Sequence, residues 1–151
     1  MSLDTSDPVV LTTQGRALLE ERLARAQERR DQITDELRNE RAEELISERN
    51  RLDQRIVELS QVLRTAVAPA DIVDDPSLIE IGDQVEVRFD DGSTETFLIV
   101  HPIEAGLDEL RTSSDSPLAR AVLGHRPGDE VTLTTPQGEI KATVVGRDRI
   151  G

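Results

Sequence analysis

One uninterrupted stretch of the chain, residues 16–68, reads RALLEERLARAQERRDQITDELRNERAEELISERNRLDQRIVELSQVLRTAVA and contains neither Gly nor Pro. It is rich in Glu, Arg, Leu and Ala, which favour the α-helix. Thr12 or Thr13 can cap the start of a helix, and Pro69 marks its end. The composition therefore predicts helix through the whole stretch.

Two heptad seams run through this stretch, each apolar except for one Arg and each with alternating steps of four and three residues. The first seam consists of Leu19, Leu23, Ala26, Arg30, Ile33 and Leu37. The second consists of Leu45, Arg49, Leu52, Ile56, Leu59 and Leu63. The seams are out of register, because continuing the first would place Glu40 and Glu44 in an apolar core. The register therefore breaks between Arg38 and Glu44.

An antiparallel helical coiled-coil hairpin explains both seams with a single reversal near Arg41. The reversal puts Leu37 opposite Leu45 and Leu19 opposite Leu63, and the other four pairs lie between them. Arms of about 24 residues would extend for about 35 Å. The alternative is one continuous helix with a register slip that dimerises as a coiled coil, which the absence of Gly and Pro at the reversal favours. The seam residues Arg30 and Arg49 are expected to pair with nearby Glu side chains.

The composition of the 151-residue chain excludes several classes of function. Phe89 and Phe97 are the only aromatic residues, so an aromatic-lined ligand pocket is not expected. The chain has no Cys, which excludes disulfides, thiol catalysis and zinc ribbons. A net charge of −13 opposes direct, specific binding to DNA. Neither a signal peptide nor a membrane span is recognisable, so a cytoplasmic protein is expected.

The sequence after Ala68 changes character. Residues 71–151 carry 17 acidic and 7 basic side chains, whereas residues 1–70 carry 14 and 11. Pro and Asp residues between 69 and 76 break the helical pattern. We therefore predict three parts: a helical hairpin over 1–70 with its tip near 38–44, a linker over 71–80, and a C-terminal domain over 81–151.

The C-terminal domain is predicted to be a small antiparallel sheet with one short helix, so the whole chain belongs to the α+β class. Alternating apolar residues predict strands near 85–89, 94–100, 131–135 and 140–145. Asp91-Gly92 is typical of a hairpin turn. Ser116 and Pro117 are typical of an N-cap and first helical position, and Gly124 of a helix stop.

No catalytic constellation is recognisable in the sequence. His101 and His125 stand alone in predicted loops, where a structural role is expected. At the hairpin tip, Glu40, Glu43 and Glu44 form either a solvated helical turn or a carboxylate cluster that shares a hard cation such as Mg²⁺ with a partner's active site. These observations favour an adaptor without an active site of its own.

Three motifs resemble the bacterial Gre transcript-cleavage factors and their Gre-like relatives. The first is Leu11-Thr12-Thr13-Gln14-Gly15, similar to the opening of the family's first helix. The second runs from Ser116-Pro117-Leu118-Ala119 to Gly128-Asp129, and the third is residues 135–139, TPQGE. The second and third motifs follow the helical hairpin in the family's order, and with the first motif the resemblance covers nearly the full length of the chain.

The resemblance implies a C-terminal domain with an FKBP-like fold that docks on the rim of RNA polymerase's secondary channel, while the hairpin inserts toward the polymerase active site. Tip carboxylates of cleavage factors help the polymerase to hold a second Mg²⁺. The resemblance thus implies an elongation regulator with Glu40, Glu43 and Glu44 as its tip residues. We expect a monomer that holds no metal or cofactor by itself. Leu107, Asp108, Ser116 and Pro117 are candidate partner contacts.

The tip departs from the family pattern. Cleavage factors carry a motif close to Gly-Asp-Leu-x-Glu-Asn, whereas residues 38–44 read RNERAEE. The arms are also shorter by about one turn. The departures leave two alternatives open: a channel-occupying inhibitor that does not stimulate cleavage, and, from a different class, a coiled-coil dimerisation scaffold unrelated to polymerase. The FKBP-like fold does not imply prolyl isomerase activity.

Overall fold

The computed structural model describes residues 9–71, 75 and 77–149, and the chain divides into two compact units. Arg16–Ala66 form one, called here the helical unit, and the rest of the chain forms the other, the β unit. The division differs from the predicted boundaries at both ends of the hairpin, because residues 9–15 and 67–71 belong to the β unit. None of the helices in the described ranges is long and apolar enough to cross a membrane.

The predicted helical stretch is interrupted at the predicted reversal. Helix α1 spans Thr13–Asn39 and helix α2 spans Glu43–Thr65. Ala42 has φ −132° and ψ 122°, an extended conformation that ends the helical path just before α2. The continuous helix is therefore wrong, and the reversal near Arg41 is confirmed.

Hydrogen bonds and burial within the helical unit show that its helices are antiparallel. Near the open end, the guanidinium group of Arg16 donates to the carbonyl oxygens of Leu63 (3.1 Å) and Ala66 (3.0 Å). Farther along, Arg29 donates to Glu48 at 2.8 Å. The buried side chains of this unit are all seam residues: Leu19, Ala26, Ile33, Ile56 and Leu59. Burying a Leu or Ile side chain contributes about 1.5–3 kcal/mol, so the seams hold the hairpin together.

The seam arginine Arg30 forms its ion pairs with other residues than the predicted Glu side chains. Its guanidinium group lies 3.3 Å from Asp31 and 3.9 Å from Asp53, so its partners are Asp side chains and not Glu. All of these groups are substantially exposed, and such surface pairs stabilise a fold by at most about 1 kcal/mol.

The β unit contains a five-stranded sheet in the order β3-β2-β1-β5-β4. Its strands are β1 (Asp83–Phe89), β2 (Thr94–Val100), β3 (Arg111–Ser113), β4 (Glu130–Thr135) and β5 (Gly138–Arg149). Four of them match predicted strands, and the α+β class is confirmed. Strand β3 was not predicted and pairs parallel to β2, so the sheet is mixed and not purely antiparallel. Three residues are too short a run for side-chain alternation to show in a sequence.

One face of the sheet and helix α3 (Pro117–Val122) enclose the core of the β unit. The Ser116 side chain accepts a hydrogen bond from the Ala119 N–H at 3.2 Å, which caps α3 as predicted. Gly124 follows the helix with φ 81°, a conformation that favours glycine. The buried core residues are Ile79, Val85, Val87, Phe97, Ile99, Ala119, Val122, Val131, Ala142 and Val144.

Ile79 lies in the predicted linker yet belongs to this core. Its side chain is fully buried, its N–H donates to His125 O at 2.9 Å, and its carbonyl accepts from Gly124 N–H at 3.0 Å. The linker prediction therefore fails at Ile79, because its backbone pairs with the loop after α3. Residues 72–74 and 76 of the predicted linker lie outside the described residues.

Candidate functional site

The closed end of the hairpin presents the three carboxylates singled out in the sequence. Glu40 lies in the connection between the helices, and Glu43 and Glu44 occupy the first turn of α2. All three side chains are exposed. Carboxylates suit this position, because the N-terminus of a helix carries a partial positive charge. No side chain caps α2 at Ala42, so the amides of its first turn remain directed at the tip.

Two arginines share the tip with these carboxylates. Arg41 Nε lies 3.7 Å from Glu43 Oε1, and Arg38 lies 3.3 Å from Asp35. Among the described residues, no group of three or more His, Asp or Glu side chains is placed to hold a metal ion. The exposed carboxylates can offer oxygen ligands to a cation that another molecule also binds.

The four candidate partner-contact residues flank β3 in the chain. Leu107 and Asp108 precede the strand, and Ser116 and Pro117 follow it. The Asp108 carboxylate accepts the Arg111 N–H at 3.0 Å and also contacts the Arg111 guanidinium group, so it helps to shape the loop. Ser116 is engaged in capping α3, which leaves Pro117 as an exposed side chain beside it. Their contact with a partner stays a prediction.

A buried carboxylate that the sequence analysis missed lies between the first turn of α1 and the loop before β3. Glu104 is fully buried. Its Oε2 accepts the Thr12 N–H at 2.8 Å, and its Oε1 accepts the Thr12 hydroxyl at 2.8 Å and Arg111 Nε at 3.3 Å. Three donors converge on one carboxylate, which offsets the cost of removing its charge from water.

Gly15 explains how Glu104 reaches this position. A Cβ atom on Gly15 would lie 1.8 Å from Glu104 Oε1, far inside contact distance. The same turn is capped by Thr12, whose Oγ1 accepts the Gly15 N–H at 2.9 Å. The Leu-Thr-x-x-Gly motif at residues 11–15 is therefore a cradle for the Glu104 carboxylate. The signal was a glycine inside a helical pattern, which often marks a close approach by another group.

Arg111 extends this cluster, and its side chain is almost fully buried. Besides Glu104 and Asp108, it donates to the Gln14 side-chain oxygen at 3.0 Å. A second buried cluster has the same character: Asp83 is fully buried and accepts from Arg147 and Arg149, with 2.8 Å to Arg149 Nε. The hydrogen bond to Asp83 raises the pKa of Arg149. Both clusters are structural ion pairs that hold loops and strand ends of the β unit together.

Both histidines make contacts that hold loops of the β unit. His101 Nδ1 accepts the Ile103 N–H at 3.1 Å and caps a 3₁₀ helix over Pro102–Glu104, and burial lowers the pKa of its imidazole. His125 Nδ1 lies 3.3 Å from the Asp129 carboxylate in an exposed turn. Structural roles in loops therefore account for both side chains, as the sequence predicted.

The C-terminal part of the chain resembles a known family of proteins. Residues 74–146 match the profile of the family described as "Transcription elongation factor, GreA/GreB, C-term". Transcription elongation factor GreA of Chloroflexus aggregans is 36% identical over 157 aligned positions, which cover 93% of this chain and 98% of the relative. GreA of Oceanobacillus iheyensis is 33% identical and covers 89% of this chain and 92% of the relative.

The chain therefore belongs to the GreA/GreB family of transcription elongation factors. Among solved structures, GreA factor homolog 1 (Gfh1) of Thermus thermophilus is 31% identical, covers 94% of this chain and 99% of that one, and superposes with a TM-score of 0.42. Gfh1 of Thermus aquaticus is 29% identical, with a TM-score of 0.44 and coverage of 97% and 100%.

Proposed function

We propose that this chain regulates transcript elongation by binding RNA polymerase at its secondary channel, with the β unit anchoring and the hairpin inserting toward the polymerase active site. Membership in the GreA/GreB family supports polymerase as the partner. The observation that carries the proposal is the placement of Glu40, Glu43 and Glu44 at the closed end of the hairpin. The seam side chains of the two helices bury each other within this chain. The exposed carboxylates at the tip are thus free to contact a partner.

In this proposal the chain supplies ligands and not a complete active site. A Mg²⁺ ion bound by the polymerase would stabilise the charge that develops when the transcript is hydrolysed. Glu40, Glu43 and Glu44 are the side chains that would hold it from the factor's side. These three side chains are exposed, and among the described residues the ion pair that involves them is the one between Arg41 and Glu43. They can therefore exchange bound water for a shared cation.

A second candidate function is occupation of the channel without stimulation of cleavage. The observation that favours it is the presence of Arg41 beside Glu43 and of Arg38 in the same turn region, which partly neutralise the tip. A cation that competes for a carboxylate lowers the affinity of that carboxylate for Mg²⁺. The same insertion would then slow nucleotide addition by filling the channel.

The decisive experiment measures transcript shortening and nucleotide addition by stalled polymerase complexes with added factor. The tip variant carries Glu40, Glu43 and Glu44→Ala. The matched control carries Glu20, Glu28 and Glu58→Ala, which makes the same change in charge at exposed positions along the arms. A loss of at least about tenfold in cleavage rate with the tip variant alone would support stimulated cleavage.

Two other outcomes separate the remaining possibilities. If the unmodified chain produces no shortening but slows nucleotide addition, and the tip variant relieves the inhibition, the channel-occupying function is supported. If the unmodified chain neither binds polymerase nor changes either rate, the proposed function is wrong. A solution mass measurement on the same samples tests the predicted monomer.

A further inference from the structure

Burial decreases along the β4–β5 hairpin of the β unit. Val131 and Ala142 face each other on adjacent strands and are 5% and 2% exposed. The next pair on the same face is Leu133 with Ile140, since side chains alternate along a strand. Leu133 is half-buried and Ile140 is 40% exposed. The apolar face that forms the core thus continues to an uncovered edge.

This edge is concave. Phe89, Leu133 and Ile140 line a depression of about 420 Å³ together with Asp90, Asp91 and Ser93, and we call it the edge pocket. Phe89 packs against the core from the end of β1, so the floor of the pocket is continuous with the core. A concave apolar surface with a fixed floor suits an inserted side chain better than a flat patch does.

The rim of the edge pocket is acidic. Asp90 and Asp91 contribute carboxylates, and none of the six lining residues is basic. Arg88 and Lys141 adjoin Phe89 and Ile140 in the chain, but strand alternation directs them to the opposite face of the sheet. Residues 67–151 together carry 17 acidic and 7 basic side chains, so the wider field has the same sign as the rim.

The turn that carries the rim is well ordered by its own hydrogen bonds. Asp91 Oδ1 accepts the Ser93 N–H at 2.9 Å and the Ser93 hydroxyl at 2.6 Å, and Gly92 has φ 88°. The hydrogen bonds from Ser93 lower the pKa of the Asp91 carboxyl group. The Asp90–Ser93 turn therefore presents its negative charge in a fixed place beside the pocket.

We propose that the edge pocket binds an apolar side chain carried on a Lys- or Arg-flanked segment of RNA polymerase, and that it is an anchoring contact of the β unit. The inference rests on the proposed function, to which it adds a specific binding surface for polymerase on the β unit. Charge complementarity selects this occupant: a nucleic acid or a second copy of this acidic chain would meet repulsion at the rim, whereas a basic segment would be attracted. The apolar side chain then fills the depression.

The test compares Ile140→Glu with Val145→Glu in titrations of the full chain against polymerase. Both side chains are 40% exposed, both lie on β5, and both substitutions add one negative charge. Val145 lies at the β-bulge and does not line the pocket. We expect Ile140→Glu to weaken binding by at least about tenfold, and Val145→Glu to change it by less than about threefold.

A second variant tests the rim. Asp90→Asn should weaken binding at low salt, and the difference from the unmodified chain should shrink at high salt, because exposed charges are screened.

Thermal unfolding of each variant identifies any loss of fold, and Ile140→Ser replaces Ile140→Glu if that variant is unfolded. If the unmodified chain binds polymerase and the folded Ile140 variants bind equally well, the edge pocket is not the anchor, although the proposed function stands. If the unmodified chain does not bind, the proposed function itself is wrong.

Discussion

The two units use the same chemical group in opposite ways. In the helical unit, Glu40, Glu43 and Glu44 are exposed at the tip and make few contacts within the chain. In the β unit, Glu104 and Asp83 are fully buried, and each accepts hydrogen bonds from several donors. A carboxylate in water is available to a partner, whereas a buried one is committed to its neighbours. Substitution of the exposed tip carboxylates should therefore affect function, whereas substitution of the buried carboxylates should affect stability.

The largest effect on stability is expected for Glu104→Ala. The substitution leaves the Thr12 N–H and hydroxyl and Arg111 Nε without their acceptor in a buried part of the β unit. Breaking a buried ion pair in this way costs about 3–5 kcal/mol. Urea unfolding measures the change. Glu109→Ala, at an exposed position in the same loop, is the control and should change the free energy of unfolding by less than about 0.5 kcal/mol.

Gly15→Ala should have the next largest effect, and its sign is informative. In an ordinary helix interior this substitution stabilises by about 1 kcal/mol. Here the new Cβ would lie 1.8 Å from Glu104 Oε1, so the buried carboxylate must move, and we expect a loss of about 2–3 kcal/mol.

The double variant tests the cause of that loss. In a Glu104→Ala background the obstructing side chain is gone, so Gly15→Ala should become neutral or stabilising. A loss that is the same in both backgrounds would show that Gly15 is required for some reason other than the approach of Glu104.

In the helical unit, Ile56→Ala should cost about 2 kcal/mol, since this seam side chain is only 8% exposed. Its neighbour Val57 is 55% exposed, and Val57→Ala should cost less than about 0.5 kcal/mol. Equal losses at the two positions would contradict the seam as the source of stability. Circular dichroism at 222 nm during urea unfolding follows the helices directly.

The smallest effect is a pH dependence at His101. Burial lowers the pKa of its imidazole below the ordinary 6.5, and Nδ1 must be unprotonated to accept the Ile103 N–H. The folded state thus binds fewer protons than the unfolded state. The resulting stability is fully present above pH 6.5 and is lost as the pH falls through the lowered pKa. His101→Asn keeps an acceptor without a titratable ring, and it should flatten this part of the curve of melting temperature against pH.

The two seams predicted the hairpin and its reversal because few structures other than a hairpin bury two heptad seams that are out of register. The alternation of apolar residues and the Ser116-Pro117 cap predicted most of the β unit, because both signals lie in neighbouring residues of the sequence. Strand β3 could not be predicted, because three residues carry no period, and neither could the role of Ile79, whose partners lie in the loop after α3. The tip residues could be named because they follow from the register.

The sequence by itself determined the hairpin, its acidic tip and the family resemblance, because helix periodicity, charge and short motifs are read from neighbouring residues. Only the tertiary structure decided that Glu104 occupies the space left by Gly15, 89 positions earlier in the chain, and that Phe89 joins Leu133 and Ile140 at an acidic edge. These arrangements depend on which distant residues meet, and pairing across a sheet or against a helix turn leaves no periodic trace in the sequence.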